Sequence, residues 1–304
     1  MTLDRRTLMK LSLATPFLAS AATIARAEAP SMGASFARHR RFTLGGFEVT
    51  TLLAGTTPRE NPQGIFGMNV SAEEFARVSA ENHLSTEVSQ FFFTPVVVNT
   101  GAELILFDTG LDPAGITAAL SDADYTPDQV DTVVLTHMHP DHIGGLSGED
   151  GTTFPNARYV TGRVEFDFWA GAGNDGFESK VRPLADRMTF LEPDQDVTGG
   201  ITAVAAYGHT PGHMGFHIES DGARLMLFAD LANHPVWSLA RPDWEVRFDA
   251  DKAMAAESRR RVLGMIAADR IPAIGYHMPF PALGFVDSHG DGFAWVPEQG
   301  QFMT

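Results

Sequence analysis

Thr136-His137-Met138-His139-Pro140-Asp141-His142 decides how this chain is read. Three imidazoles and a carboxylate, all able to ligate a metal, fall within the six positions 137–142. They directly follow Thr132–Leu135, a β-branched apolar run that reads as a short buried strand. On a helix, residues two apart point away from each other and the set would scatter. In a turn at a strand end, His137 and His139 can share a side, while Asp141 and His142 aim at a neighbouring point. One such cluster could therefore serve two metals.

Three further candidates each close an apolar run. His209 opens His209-Thr210-Pro211-Gly212-His213 after Val204–Gly208, Asp230 ends Leu225–Ala229, and His277 follows Ile274-Gly275-Tyr276. Ligands recurring at strand ends are what a site at one edge of a sheet requires.

Composition limits the alternatives. The chain has 304 residues, 44% of them apolar, and a formal net charge of −16. It can bury a sizeable core, and it lacks the basic surface that nucleic acid demands. It has no Cys, so disulfides, thiolate metal sites and Cys nucleophiles are excluded. Residues 1–27 read as an export signal, with Arg5-Arg6, an apolar stretch Leu11–Ile24 and Ala25-Arg26-Ala27 as a cleavage site. The paired arginines resemble a twin-arginine signal, which implies transient contact with that export machinery and a periplasmic or secreted product. The apolar stretch is short for a membrane span of about 20 residues, so no stable membrane insertion is expected. Residues 28–304 read as a single domain.

Within it, Phe42–Leu53 reads as a hairpin around Gly45-Gly46, and Phe91–Asn99 with Glu103–Asp108 as a second hairpin. The Pro-, Gly- and Asn-rich segment 56–67 reads as loop, Ala72–Ala80 as a short helix, and 55–90 as a candidate lid region. Short helices are expected at Pro113–Leu120 and Pro127–Val130, and partly helical stretches at Tyr159–Trp169 and Lys180–Met188. Strands are expected at Ile201–Tyr207, Met214–Glu219 and Arg224–Phe228. Asp251–Ala268 reads as the strongest helix, with Met254, Val262, Met265 and Ile266 on its apolar face. Pro272–Gly275 reads as a final strand. The order is α/β.

The cluster and the three later ligands together resemble the signature of the metallo-β-lactamase superfamily, over about residues 40–297. That resemblance implies a four-layer αβ/βα sandwich with the site at one edge of two facing sheets. It implies that His137, His139 and His209 hold one metal, that Asp141, His142 and His277 hold a second, and that Asp230 bridges both. Asp108, in Leu106-Phe107-Asp108-Thr109-Gly110, matches the family's early aspartate, which supports the ligands from behind; His213 reads as a similar support. Two divalent ions are expected, zinc favoured, with manganese, cobalt and iron also compatible with such ligands. Such a pair ionises a bridging water and polarises the bond under attack. Asp141 could orient that nucleophile.

Within the family, a bridging carboxylate and the absence of Cys point away from the antibiotic-cleaving members. The chain resembles the exported methyl parathion hydrolase and N-acyl-homoserine lactonase group. A lactone or ester substrate is expected, acyl-homoserine lactone first, with an organophosphate triester as the alternative and a β-lactam or a non-catalytic metal-binding role behind it. The partner is then a small molecule; a homodimer is left open. Many such lactonases carry a Tyr shortly after the bridging Asp. Here Asp230-Leu231-Ala232-Asn233-His234 has none, which leaves His234 as either a general acid or a surface loop residue. Phe66, Met68, Phe93, Trp169, Trp237 and Phe280 are candidates for an apolar substrate pocket, with Phe91, Phe92 and Phe285 beside them.

Overall fold

The computed structural model describes residues 33–300; the export signal expected at 1–27 lies outside them. From Phe36 onward the chain forms one unit. Its first sheet takes strands β1 (His39–Leu44), β2 (Phe47–Leu52), β5 (Val96–Asn99), β6 (Leu104–Phe107), β7 (Thr132–Leu135), β10 (Arg158–Gly162) and β11 (Met188–Leu191), in that spatial order. The second takes β12 (Asp196–Thr198), β13 (Ile201–Ala205), β14 (Met214–Ser220), β15 (Ala223–Ala229), β16 (Ala273–Gly275), β17 (Leu283–His289) and β18 (Gly292–Pro297). Two ribbons stand apart: β3 (Gly55–Glu60) with β4 (Val88–Phe93), and β8 (Ser147–Gly148) with β9 (Gly151–Thr152).

Alternation along the central strands explains the layers. In β6, Ile105 and Phe107 join the core between the sheets, while Leu104 and Leu106 face the other way. In β7, Val134 points inward and Val133 and Leu135 outward. A strand apolar on both faces must be covered on both. The outer face of the first sheet lies against α2 (Pro113–Asp122) and α5 (Asp175–Lys180), and α6 (Lys252–Asp269) covers the second sheet through Val262, Leu263 and Ile266. Helix, sheet, sheet, helix is the four-layer αβ/βα sandwich. A third cluster, including Phe66, Phe75, Phe91, Phe93, Trp237 and Trp244, packs α1 (Ala72–Glu81) and the β3–β4 ribbon onto the rest.

Several expected boundaries are corrected. Residues 55–60 are strand, not loop, paired with Val88–Phe93 from Gly55↔Phe93 to Glu60↔Val88; Pro58 is tolerated because this ribbon offers edge positions. The run Phe91–Asn99 divides at Thr94-Pro95, so its two halves serve different sheets. Tyr159–Gly162 is strand, parallel to β7, and α4 (Arg163–Ala172) begins only after Gly162. Gly275 does not end the last strand, because β17 and β18 follow as a hairpin. On α6 the buried stripe is Ala255, Ser258, Arg259, Val262, Leu263 and Ile266, whereas Met254 and Met265 face solvent. Arg259 belongs inside because Asp249 accepts from its Nη1 at 2.8 Å. Among the described residues no helix is long and apolar enough to cross a membrane.

Candidate metal centre

The candidate ligands gather where strands end. Asp108 follows β6, His137 follows β7, Asp230 follows β15 and His277 follows β16 by two residues. Asp108 (φ 59°) and Ala229 (φ 47°), the residue before Asp230, are left-handed non-glycine positions, a strain that surrounding structure must hold in place. His139 leads into α3 (Pro140–Ile143), one turn that carries Asp141 and His142. Gly208 brings His209 in: a Cβ there would lie 2.1 Å from the Ala255 nitrogen, so only glycine allows this loop to lie against α6.

Two groups of donor atoms result. His137 Nε2 lies 3.0 Å from His139 Nδ1, which lies 3.0 Å from His209 Nε2. Asp141 Oδ2 lies 3.3 Å from His277 Nε2 and 3.7 Å from His142 Nε2. Asp230 stands between the groups, with Oδ1 3.2 Å from His142 Nε2 and Oδ2 3.3 and 3.1 Å from His209 and His277 Nε2. His142 Nε2 and Asp230 Oδ1 are buried and, although 3.2 Å apart, neither makes a hydrogen bond. Such orphaned atoms are costly, and imidazole nitrogens crowded with carboxylates are the donor set of a divalent transition metal. The residues present therefore fit one ion at His137, His139 and His209 and another at Asp141, His142 and His277, with Asp230 within reach of both.

Further contacts fix the ligands' orientation. Asp108 faces His142 Nδ1 at 2.8 Å and accepts from the Thr136 amide and hydroxyl at 2.9 and 2.8 Å. His213 lies behind Asp230: its Nδ1 is 2.9 Å from the Ala206 carbonyl and its Nε2 accepts from the Asp230 amide at 3.1 Å. Asp249 faces His209 Nδ1 at 3.0 Å and is itself held by Arg259. The Tyr276 hydroxyl donates to the Asp141 carbonyl at 2.5 Å. Sequence reasoning missed Asp249 and Arg259, because nothing local links them to the ligand turns, and it gave Tyr276 no role although it directly precedes His277.

The titratable groups of the site are shifted in opposite directions. Burial opposes charge on His209 and His277, yet Asp230, helped by Asp249 and Asp141 respectively, carries them up to about 9 and about 10. Burial and the neighbouring His209 charge take His139 down to about 3.

A cleft of about 250 Å³ opens onto these residues, walled by Phe91, Phe93, Leu111 and Phe248, with Arg59 also lining it. Phe93 is the one residue shared with the six principal pocket candidates; Phe91 was among the additional ones. The others are placed elsewhere. Phe66 and Trp237 are fully buried in the third core cluster, and the Trp237 indole donates to Ser79 Oγ at 3.0 Å. Trp169 stands edge-on to His139, with centroids 5.8 Å apart, and donates to Glu165, but it is not among the lining residues; Met68 is exposed, and Phe280 is not among the lining residues either. Arg59, Leu111 and Phe248 were missed; the first and last come from segments distant from the ligand motifs.

The surface reading of His234 is corrected. It is not a surface residue, since only 9% of it is exposed. It is not among the residues that line the cleft. Its ring stacks on Trp237 with centroids 4.0 Å apart, and its Nδ1 accepts from the Val236 and Trp237 amides at 3.1 and 3.2 Å, capping the turn Pro235–Leu239.

Residues 94–273 match the Metallo-beta-lactamase superfamily. The N-acyl homoserine lactonase AttM of Azorhizobium caulinodans is 31% identical over 130 residues, which is 39% of this chain and 47% of that protein. An N-acyl homoserine lactonase of Bacillus cereus is 23% identical over 150 residues, 49% of this chain and 57% of that protein. The chain thus spans about half the length of the curated relatives it matches. Among solved structures, the dizinc quorum-quenching lactonase AidC, in complex with a product, superposes with a TM-score of 0.79 at 26% identity, covering 86% of this chain and 98% of its own. The hydrolase AbOPH gives a TM-score of 0.80 at 23% identity, covering 88% of this chain and all of its own, a likeness of fold alone.

Proposed function

Because this chain belongs to the metallo-beta-lactamase superfamily, we propose that it is a dinuclear metal-dependent hydrolase of lactones and related esters, with acyl-homoserine lactones its leading substrates. The observation that carries this reading is the convergence of His137, His139, His209, Asp141, His142, His277 and Asp230 around two orphaned buried atoms at one sheet edge. His137, His139 and His209 would hold one divalent ion, zinc favoured, and Asp141, His142 and His277 the other, with Asp230 serving both. When bound, such a pair supplies an ionised water and polarises the substrate carbonyl.

The chain's own residues supply the rest. Phe91 and Phe93 stand edge-on to His277, with centroids 5.4 and 5.7 Å away. With Leu111 and Phe248 they offer an apolar wall for an acyl chain and exclude water from the reacting bond. Tyr276 fixes the Asp141 backbone, while Asp249 fixes the ring of His209. We also propose that residues 1–27 direct export by the twin-arginine route, which delivers the enzyme to the periplasm or beyond.

The test is a panel of acyl-homoserine lactones, aryl esters, paraoxon-like triesters and nitrocefin, run on zinc-loaded and metal-stripped protein. The expected result is the highest kcat/KM on a lactone, lost on stripping and restored by zinc. Turnover of nitrocefin alone would overturn the proposed substrate class, and turnover independent of metal would overturn the mechanism.

A further inference from the structure

Glu165, on α4, is a carboxylate with no exposed surface. Its Oε1 accepts from the Met138 amide at 3.0 Å and the Trp169 indole at 2.6 Å; its Oε2 accepts from the Thr210 hydroxyl at 2.6 Å and the Gly212 amide at 3.0 Å. Met138 lies between His137 and His139, and Thr210 follows His209. One side chain therefore ties together both turns that present the first group of donors. Gly212 makes the approach achievable, since a Cβ there would lie 2.1 Å from the Glu165 nitrogen. Burial pushes the Glu165 carboxyl up and its four hydrogen bonds pull it down; four donors on two oxygens suit the ionised form, because a protonated acid would turn its own O–H toward one of those donors. No Lys or Arg pairs with it among the described residues.

We propose that Glu165 is a positioning residue that sets the affinity of the His137, His139 and His209 site for its divalent cation. This rests on the metal reading above. It assigns to Glu165 two effects, a fixed separation of the two ligand turns and a buried negative charge beside the cation. Contacts of this kind, one step behind the ligands, typically change metal affinity about 10–100-fold.

The test uses the whole protein, stripped of metal and titrated with Zn²⁺ against a competing chelator, with thermal unfolding recorded with and without Zn²⁺. In Glu165→Gln, one side of the amide meets its former donors with another donor. The expected result is that one of the two bound ions is weakened by about 10–100-fold, that the other is unchanged, and that the rise in Tm on adding Zn²⁺ shrinks. Two ions at wild-type affinity, or equal weakening of both, would overturn the proposal. Should Glu165→Gln fail to fold, Thr210→Val decides: it removes one donor and leaves the carboxylate. A loss of about fivefold at one ion, roughly one hydrogen bond, supports the proposal, and wild-type affinity overturns it. If the wild-type protein itself takes up no Zn²⁺, the metal reading falls together with this one.

Discussion

His234 and His209 carry the same imidazole in opposite surroundings. His209 faces Asp230 and Asp249, and their charges outweigh burial. His234 faces aromatic rings and two backbone amides, so burial alone brings it down to about 3. A sequence can show a histidine near a bridging aspartate, but not whether its nitrogen is taken by its own backbone. That distinction has a measurable consequence. Below about pH 6.5 the unfolded chain protonates this side chain and the folded one does not, so folding stability falls as the pH drops toward about 3, at up to about 1.4 kcal/mol per unit for one proton. His234→Asn retains a capping side chain and removes the titration. Urea unfolding at several pH values should show a shallower acid loss in the variant than in the wild type. Identical slopes would mean that His234 is not held neutral in the fold.

At the level of elements, β6 and β7 were the most legible, because four-residue runs such as Thr132–Leu135 are apolar on both faces and follow turn residues. Leu106, on the outward face of β6, has no exposed surface. Leu106→Ala should cost about 2–5 kcal/mol by opening a cavity. The donors sit in the turns beyond the strand ends, so metal content should survive in the variant. Denaturant midpoints and elemental analysis check the two halves; a loss under about 0.5 kcal/mol, as expected of surface sites, would contradict the layer assignment. Other elements were misread for identifiable reasons. Tyr159–Trp169 spans a strand and a helix, and only Gly162 marks the join. The hairpin of β17 and β18 did carry a signal, Gly290-Asp291 between paired segments, closed at His289↔Gly292. Gly55–Glu60 carried almost none, since its pairing with Val88–Phe93 is decided by a partner 28 residues or more away in the chain.

For the whole molecule, the clustering of the candidate ligands was legible and most of the cleft wall was not. Metal donors announce themselves by residue type and spacing, as in His137–His142. An aromatic side chain becomes pocket wall or core only through packing: Phe91 and Phe93 line the cleft, whereas Phe66, a similar residue in a Gly- and Pro-rich segment, is sealed beneath it. The support around the donors was legible only in part: Asp108 and His213 stand behind His142 and Asp230 as expected, whereas Glu165 and Asp249 reach the site from α4 and from the loop before α6. Two sheets, each ending in short turns at the same edge, are what bring all of these together, and that edge is where the account stands or falls. The most direct test is elemental analysis of the purified protein combined with diffraction at the absorption edge of the metal found. Two ions about 3.5–4 Å apart, one among His137, His139 and His209, the other among Asp141, His142 and His277, with Asp230 touching both, is the predicted result. A single ion, or metal bound away from these side chains, would contradict it.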